Sequence, residues 1–156
     1  MPALALAKAR AVIVAGVRGV VLAADTVVVV GGQLLGKPAD ADEARRMLCL
    51  LRNRAHDVIT GVAVIEAERG REATTAVVTR VLMGDYADAA IEAYVATGGP
   101  LDKAGGYAIQ DIPGDWVTAL VGPYTNVIGL PLAATRGLLA DFGVPLLPAA
   151  LSAEDG

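Results

Sequence analysis

The sequence has one cysteine, Cys49, and one histidine, His56, among 156 residues. A single thiol excludes an intramolecular disulfide and suits a reducing compartment. A single imidazole excludes any metal site built from several histidines, so a catalytic metal would be held by oxygen ligands, which favour hard cations such as Mg²⁺ or Mn²⁺. Long uncharged apolar runs are also lacking: none approaches the roughly 18 residues that span a bilayer. Lys8 and Arg10 interrupt the apolar opening MPALALAKARAVIVAG, which reads poorly as a signal peptide. No basic block is present either. Net charge is −4 with a pI near 4.9, whereas gripping a nucleic-acid backbone needs clustered Lys and Arg. These absences leave the expectation of a soluble cytoplasmic protein with no nucleic-acid and no membrane partner.

What the chain does have is apolar content. Hydrophobic residues make up 54% and charged residues 19%, and mean hydropathy is +0.53. An ordinary soluble domain is less apolar and more charged. The excess is Ala and Val spread over short segments, which points to surface covered by a second copy or by a missing piece. The length fits a single domain with a real core, taken as residues 1–147 with a frayed tail at 148–156.

Periodicity and punctuation divide the chain into elements. Residues 3–15 are compatible with a helix. Gly16 and Gly19 then precede two β-branched runs, Val20–Ala24 and Val27–Val30. Gly31-Gly32 signals a hairpin, with a return strand at Gln33–Leu35 and a turn at Gly36-Lys37-Pro38. Asp40 and Glu43 form an N-cap and N3 pair resembling a capping box, and Ala44, Met47, Leu48 and Leu51 recur on one helical face. Asp57–Ala67 and Glu72–Met83 read as a β-hairpin. Asp85 is expected to cap a second helix that runs to Thr97. A glycine-bearing loop, Leu101–Gly106, leads to expected strands at Tyr107–Gln110 and Trp116–Val121, and Pro131 opens a last helix to Phe142. The class is α/β or α+β with a mixed sheet.

A few residues could carry chemistry. Asp25 is a lone carboxylate inside VVLAADTVVVV. Burying it unpaired would cost several kcal/mol, roughly. It is either a polar residue at a bulge between strands or a general base or metal ligand at a sheet edge. Lys37 and Lys103 each lie in a glycine-bearing loop. Backbone N–H groups in such loops can approach phosphate oxygens, and lysine adds a mobile positive charge. Together with Asp25 they suggest a polyphosphate site. Gln110 offers a donor and an acceptor that could read a pyrimidine edge, or could cap a neighbouring backbone. His56 reads as a satisfied structural histidine and Cys49 as a small core residue.

Several segments in register resemble the Maf family of nucleoside triphosphate pyrophosphatases. They are Ala24-Asp25-Thr26-Val27-Val28, Gly36-Lys37-Pro38, Val58-Ile59-Thr60-Gly61-Val62, Ile91-Glu92-Ala93-Tyr94-Val95, Pro100-Leu101-Asp102-Lys103-Ala104-Gly105, Tyr107-Ala108-Ile109-Gln110 and Tyr124-Thr125-Asn126-Val127-Ile128-Gly129-Leu130-Pro131-Leu132. The resemblance implies an α/β fold of the inosine-triphosphatase type, an elongated twisted mixed sheet flanked by helices, with a nucleotide cleft. It implies hydrolysis between the α and β phosphates with a divalent cation, Mg²⁺ or Mn²⁺, and a homodimer. The family's general base falls on Asp25, and its phosphate-contacting lysines fall on Lys37, Lys103 and Lys8. Thr26 and Gln110 resemble the branch acting on dTTP and UTP rather than on 7-methyl-GTP.

One departure accompanies the resemblance. The family's opening strand, with its Ser-x-Ser-Pro-Arg-Arg loop, and the helix and strand after it have no counterpart here. Their loss would remove bidentate arginine contacts to phosphate and leave a sheet edge and apolar surface open. Beside the enzyme, this leaves the alternative of a catalytically impaired nucleotide-binding protein, or an interaction protein that inhibits septum formation.

Overall fold

A computed structural model describes residues 2–147; the expected tail at 148–156 lies outside them. The elements in order are α1 (Pro2–Val14), β1 (Val20–Val30), β2 (Gln33–Leu35), α2 (Ala41–Leu51), β3 (Ala55–Glu66), β4 (Arg71–Met83), α3 (Asp88–Ala96), two 3₁₀ turns (Gly99–Asp102 and Ala104–Gly106), β5 (Val117–Val121), α4 (Tyr124–Ile128) and α5 (Leu132–Asp141). The sheet has the order β2-β1-β3-β4-β5, and β1 with β2 and β4 with β5 pair antiparallel. The α/β class is confirmed, with an antiparallel five-stranded sheet flanked by helices where a mixed one was expected.

The chain divides into two compact units. One gathers the described residues of Met1–Thr26, Ile59–Val78 and Pro123–Gly156, the other Val27–Val58 and Thr79–Gly122. In the first, β1 alternates with period two, so Val21 and Ala23 share a face. Helix α1 lies against that face through Leu6, Ala9 and Ile13, together with Ile65 of β3. Ala5 and Ala9 are fully buried; their lack of bulk lets helix and sheet approach closely. Arg10 donates to both oxygens of Glu72 at 2.7 and 3.0 Å, and the Gly19 N–H reaches Glu68 at 3.0 Å. The Arg71 guanidinium lies 4.4 Å from the Phe142 ring centroid and donates to the Asp141 carbonyl at 3.0 Å, a cation meeting the carbonyl end of α5.

In the second unit, Gly31 and Gly32 both take positive φ, +54° and +78°, as a two-residue turn matching strand twist requires. The register sets Val28 opposite Leu35 and Val30 opposite Gln33. Helix α2 buries Ala44, Met47, Leu48 and Leu51, the face that the periodicity predicted. Asp40 accepts from the Glu43 N–H at 2.8 Å, and Glu43 reaches back to the Ala39 N–H at 2.5 Å. The box thus closes one residue before the cap. Trp116 stacks on Tyr86 with centroids 4.1 Å apart and meets Tyr94 edge-on at 5.7 Å.

Several expectations are corrected. The two runs flanking Asp25 form one unbroken strand, because a side chain directed to one face does not interrupt the ladder of its backbone. Residues 107–110 are not a strand: the Ala108 N–H goes to the Tyr94 hydroxyl at 3.1 Å, and the Asp111 N–H closes a turn on the Ala108 carbonyl at 2.9 Å. Asp85 does not cap α3, whose N-cap is Ala87; its carboxylate accepts from the Asn53 amide at 2.9 Å instead. Cys49 is exposed rather than in the core, since it falls between the buried positions on the outer side of α2.

Candidate functional site

Asp25 sits mid-strand in β1, and its side chain is 14% exposed. It follows Val21 and Ala23 on the face that α1 covers, and α1 carries Lys8 one residue from the packed Ala9. The Lys8 ammonium therefore meets Asp25 Oδ1 in an ion pair. The lysine is half exposed, so the pair stays in contact with solvent and is worth no more than about 1 kcal/mol. Its consequence is positional: a carboxylate flanked by valine runs has a cation at hand.

Thr26, next along β1, turns its hydroxyl to the protein. Its Oγ1 lies 2.9 Å from Thr60 Oγ1 on β3 and 3.4 Å from the Gly129 carbonyl, to which it can donate. Thr60 in turn can donate to the Asn126 carbonyl at 3.3 Å, and the Asn126 amide donates to Val77 O at 3.1 Å. Thr60 and Asn126 are fully buried. Gly129, at φ +124°, ends α4 in a conformation that β-carbon-bearing residues resist, and this brings its carbonyl round to Thr26.

The other unit holds the remaining predicted residues. Lys37 and Lys103 both approach Asp102, at 3.5 and 3.7 Å. Their loops are tied by a hydrogen bond from the Gly105 N–H to the Gly36 carbonyl at 3.0 Å. A methyl group at Gly105, which has φ +75°, would lie 3.1 Å from Val28 Cγ2, so a larger residue would crowd that valine from a strained backbone. Lys37 also lines a cavity of about 290 Å³ with Gln33, Leu34, Arg46 and Met47. Gln110 is exposed on a turn. The structure thus pairs Lys8 with Asp25 on one face of β1, turns Thr26 to the opposite face within the same unit, and brings Lys37 and Lys103 together in the other unit.

Sequence reasoning missed Asp102, Thr60, Asn126 and Arg46. Asp102 adjoins Lys103 in sequence, but nothing local marks it as the counter-ion of that lysine or of the distant Lys37. Thr60 looks like any β-branched strand residue, and Arg46 like any exposed helix cation. No group of three or more His, Cys, Asp or Glu side chains gathers among the described residues. No described helix is long and apolar enough to cross a membrane.

The model of the family described as Maf-like protein matches residues 1–142. The dTTP/UTP pyrophosphatase of Moorella thermoacetica is 52% identical over 142 residues, covering 91% of this chain and 73% of that protein. That of Anaeromyxobacter dehalogenans is 52% identical over 129 residues, 81% of this chain and 66% of its own length. That of Desulforamulus reducens is 42% identical over 144 residues, 92% and 75%. The chain therefore spans about two thirds to three quarters of these relatives, and a match that runs through β1, the two lysine loops and the Asn126 turn shows that it belongs to the Maf-like protein family.

Proposed function

We propose that the protein is a nucleoside triphosphate pyrophosphatase that hydrolyses dTTP and UTP to the monophosphate and pyrophosphate. The observation that carries the reading is the half-identity with relatives named dTTP/UTP pyrophosphatases. The Asp25–Lys8 pair supplies a chemistry that suits it.

In this mechanism water attacks the α-phosphorus. Asp25 takes the proton, the new P–O bond forms, and the bond from the α-phosphorus to the bridging oxygen breaks, so that pyrophosphate leaves with the electron pair. An incoming triphosphate competes for the Lys8 ammonium and draws it from Asp25 toward phosphate oxygens. Lys37 and Lys103 contact phosphate in the same way, leaving Asp102. Thr26 and Gln110 contact the base. No cluster of carboxylates gathers among the described residues, so a divalent cation such as Mg²⁺ or Mn²⁺ would be held mainly by substrate phosphate oxygens and water. The bound cation would neutralise charge on the leaving pyrophosphate. A cytoplasmic setting, consistent with one exposed thiol, and a homodimer complete the proposal; sedimentation velocity tests the latter.

The test is pyrophosphate release from dTTP, UTP, CTP and 7-methyl-GTP with Mg²⁺ or Mn²⁺. Release fastest from dTTP and UTP is expected, and a clear preference for 7-methyl-GTP overturns the substrate assignment. Asp25→Asn is expected to lower kcat roughly 10²- to 10⁴-fold, the usual worth of a positioned base, while nucleotide still binds. Unchanged kcat in that variant would remove Asp25 from the chemistry.

A further inference from the structure

We infer that Thr60 is a positioning residue that makes the Thr26 hydroxyl an acceptor toward the base, so that the site selects pyrimidines with an N–H at ring position 3. The inference rests on the proposed role of Thr26 in contacting the base. Thr60 itself is fully buried and touches no substrate.

Thr26 Oγ1 and Thr60 Oγ1 are 2.9 Å apart, a separation of two oxygens that requires a hydrogen between them. Each hydroxyl has one hydrogen and two lone pairs. At the ends of the pair lie two carbonyls, Gly129 O and Asn126 O, which can only accept. In one arrangement Thr26 donates to Thr60 and Thr60 donates to Asn126. In the other Thr60 donates to Thr26 and Thr26 donates to Gly129. Both arrangements use both hydrogens inside the protein, and both leave a lone pair on Thr26. Accepting a hydrogen bond from outside therefore disturbs nothing, whereas donating one outward forfeits an internal bond.

That polarity matches one class of base. Uracil and thymine carry an imide N–H at position 3, a donor. Cytosine has a bare nitrogen there, an acceptor, and would need the hydrogen that Thr60 and Gly129 draw inward. A donor–acceptor mismatch excludes a base more sharply than a difference in shape, because a polar group is left unpaired. The same threonine without its buried partner would discriminate less.

The experiment compares kcat/KM for UTP and CTP in the wild type, Thr60→Val and Thr60→Ser. Thr60→Val keeps shape and loses the hydroxyl; it is expected to narrow the UTP-to-CTP ratio about tenfold, the worth of one hydrogen bond, through KM with kcat little changed. Thr60→Ser keeps the hydroxyl and should retain the wild-type ratio. An unchanged ratio in Thr60→Val overturns the inference, as does equal narrowing in Thr60→Ser, which would point to packing. A probe that needs no variant is 3-methyl-UTP, which lacks the donor: the wild type should bind it about tenfold more weakly than UTP, and equal binding overturns the inference. Calorimetric titration with UMP and CMP separates this result from the activity itself. Wild-type protein that releases no pyrophosphate yet prefers UMP refutes the enzymatic reading alone. Active protein with no preference between UMP and CMP refutes the role of Thr60 alone.

Discussion

Gly105 shows how much a single hydrogen atom in place of a side chain can decide. Its backbone lies at φ +75° and its N–H holds the Gly36 carbonyl, so one residue keeps the loop of Lys103 against the loop of Lys37. In Gly105→Ala the new methyl would lie 3.1 Å from Val28 Cγ2 and 3.3 Å from Val28 Cγ1. Left-handed backbone costs an alanine roughly 1 kcal/mol, and crowding in a packed region adds about 1–3 kcal/mol. The variant should therefore unfold at lower urea concentration and raise KM for dTTP more than it lowers kcat. Adding Val28→Ala removes the two crowding methyls but leaves Val28 Cβ 3.3 Å from the new methyl, keeps the strained backbone and thins the core at a buried residue, so stability should return only in part. Full recovery would show that φ carries no cost here. The charges around this loop are less decisive: Lys37 and Asp102 are 67% and 77% exposed, and such pairs contribute little to stability.

The start of helix α2 is set by local chemistry at the scale of an element. Asp40 takes the Glu43 N–H, one of the donors that the first turn leaves without a helical partner. Asp40→Ala should cost about 1 kcal/mol, read as a lower urea midpoint at unchanged slope, and Asp40→Ser should recover most of it. Such short-range features were legible in the sequence: the cap, the buried stripe of α2, the Gly31-Gly32 hairpin and the β3–β4 hairpin all depend on residues a few positions apart. The failures came where a distant group decides. Tyr107–Gln110 reads as a short apolar strand, but the Tyr94 hydroxyl takes the Ala108 N–H that a ladder would need. Asp85 stands where a cap is expected, but Asn53 holds it. Asp25 looked like a break in β1 because polarity in a valine run suggests a turn; the compensating Lys8 is 17 residues away. Asp25, Lys8, Lys37 and Lys103 could be named as candidates from residue type, loop glycines and family resemblance. Their pairings, and the role of Thr60, required the fold.

For the molecule as a whole, the sharpest consequence of burial is a dependence of stability on pH. His56 is 1% exposed. Its Nε2 lies 2.7 Å from the Tyr107 hydroxyl, while Nδ1 has no hydrogen-bond partner. Protonation would place a charge in the interior with a donor aimed at nothing. Burial accordingly pushes the imidazole down from 6.5 to about 4, although the nearby Asp57 carboxylate pulls it the other way. That carboxylate is already engaged by Arg80 at 3.0 Å, which limits its help. The folded form therefore binds this proton less readily than the unfolded chain does, and the unfolded chain gains it first as pH falls. Stability from this group is complete above about pH 6.5, declines as pH drops toward 4, and is flat below that. Linkage gives a loss of about 2 kcal/mol between pH 7 and pH 5, a window in which most carboxylates are still ionised. Urea unfolding at half-unit intervals measures it directly. His56→Gln, which keeps a polar group for Tyr107 but cannot titrate, should be less stable at pH 7 and show a nearly level profile across the same window. A wild-type slope persisting in that variant would assign the effect to other groups and return His56 to a purely packing role.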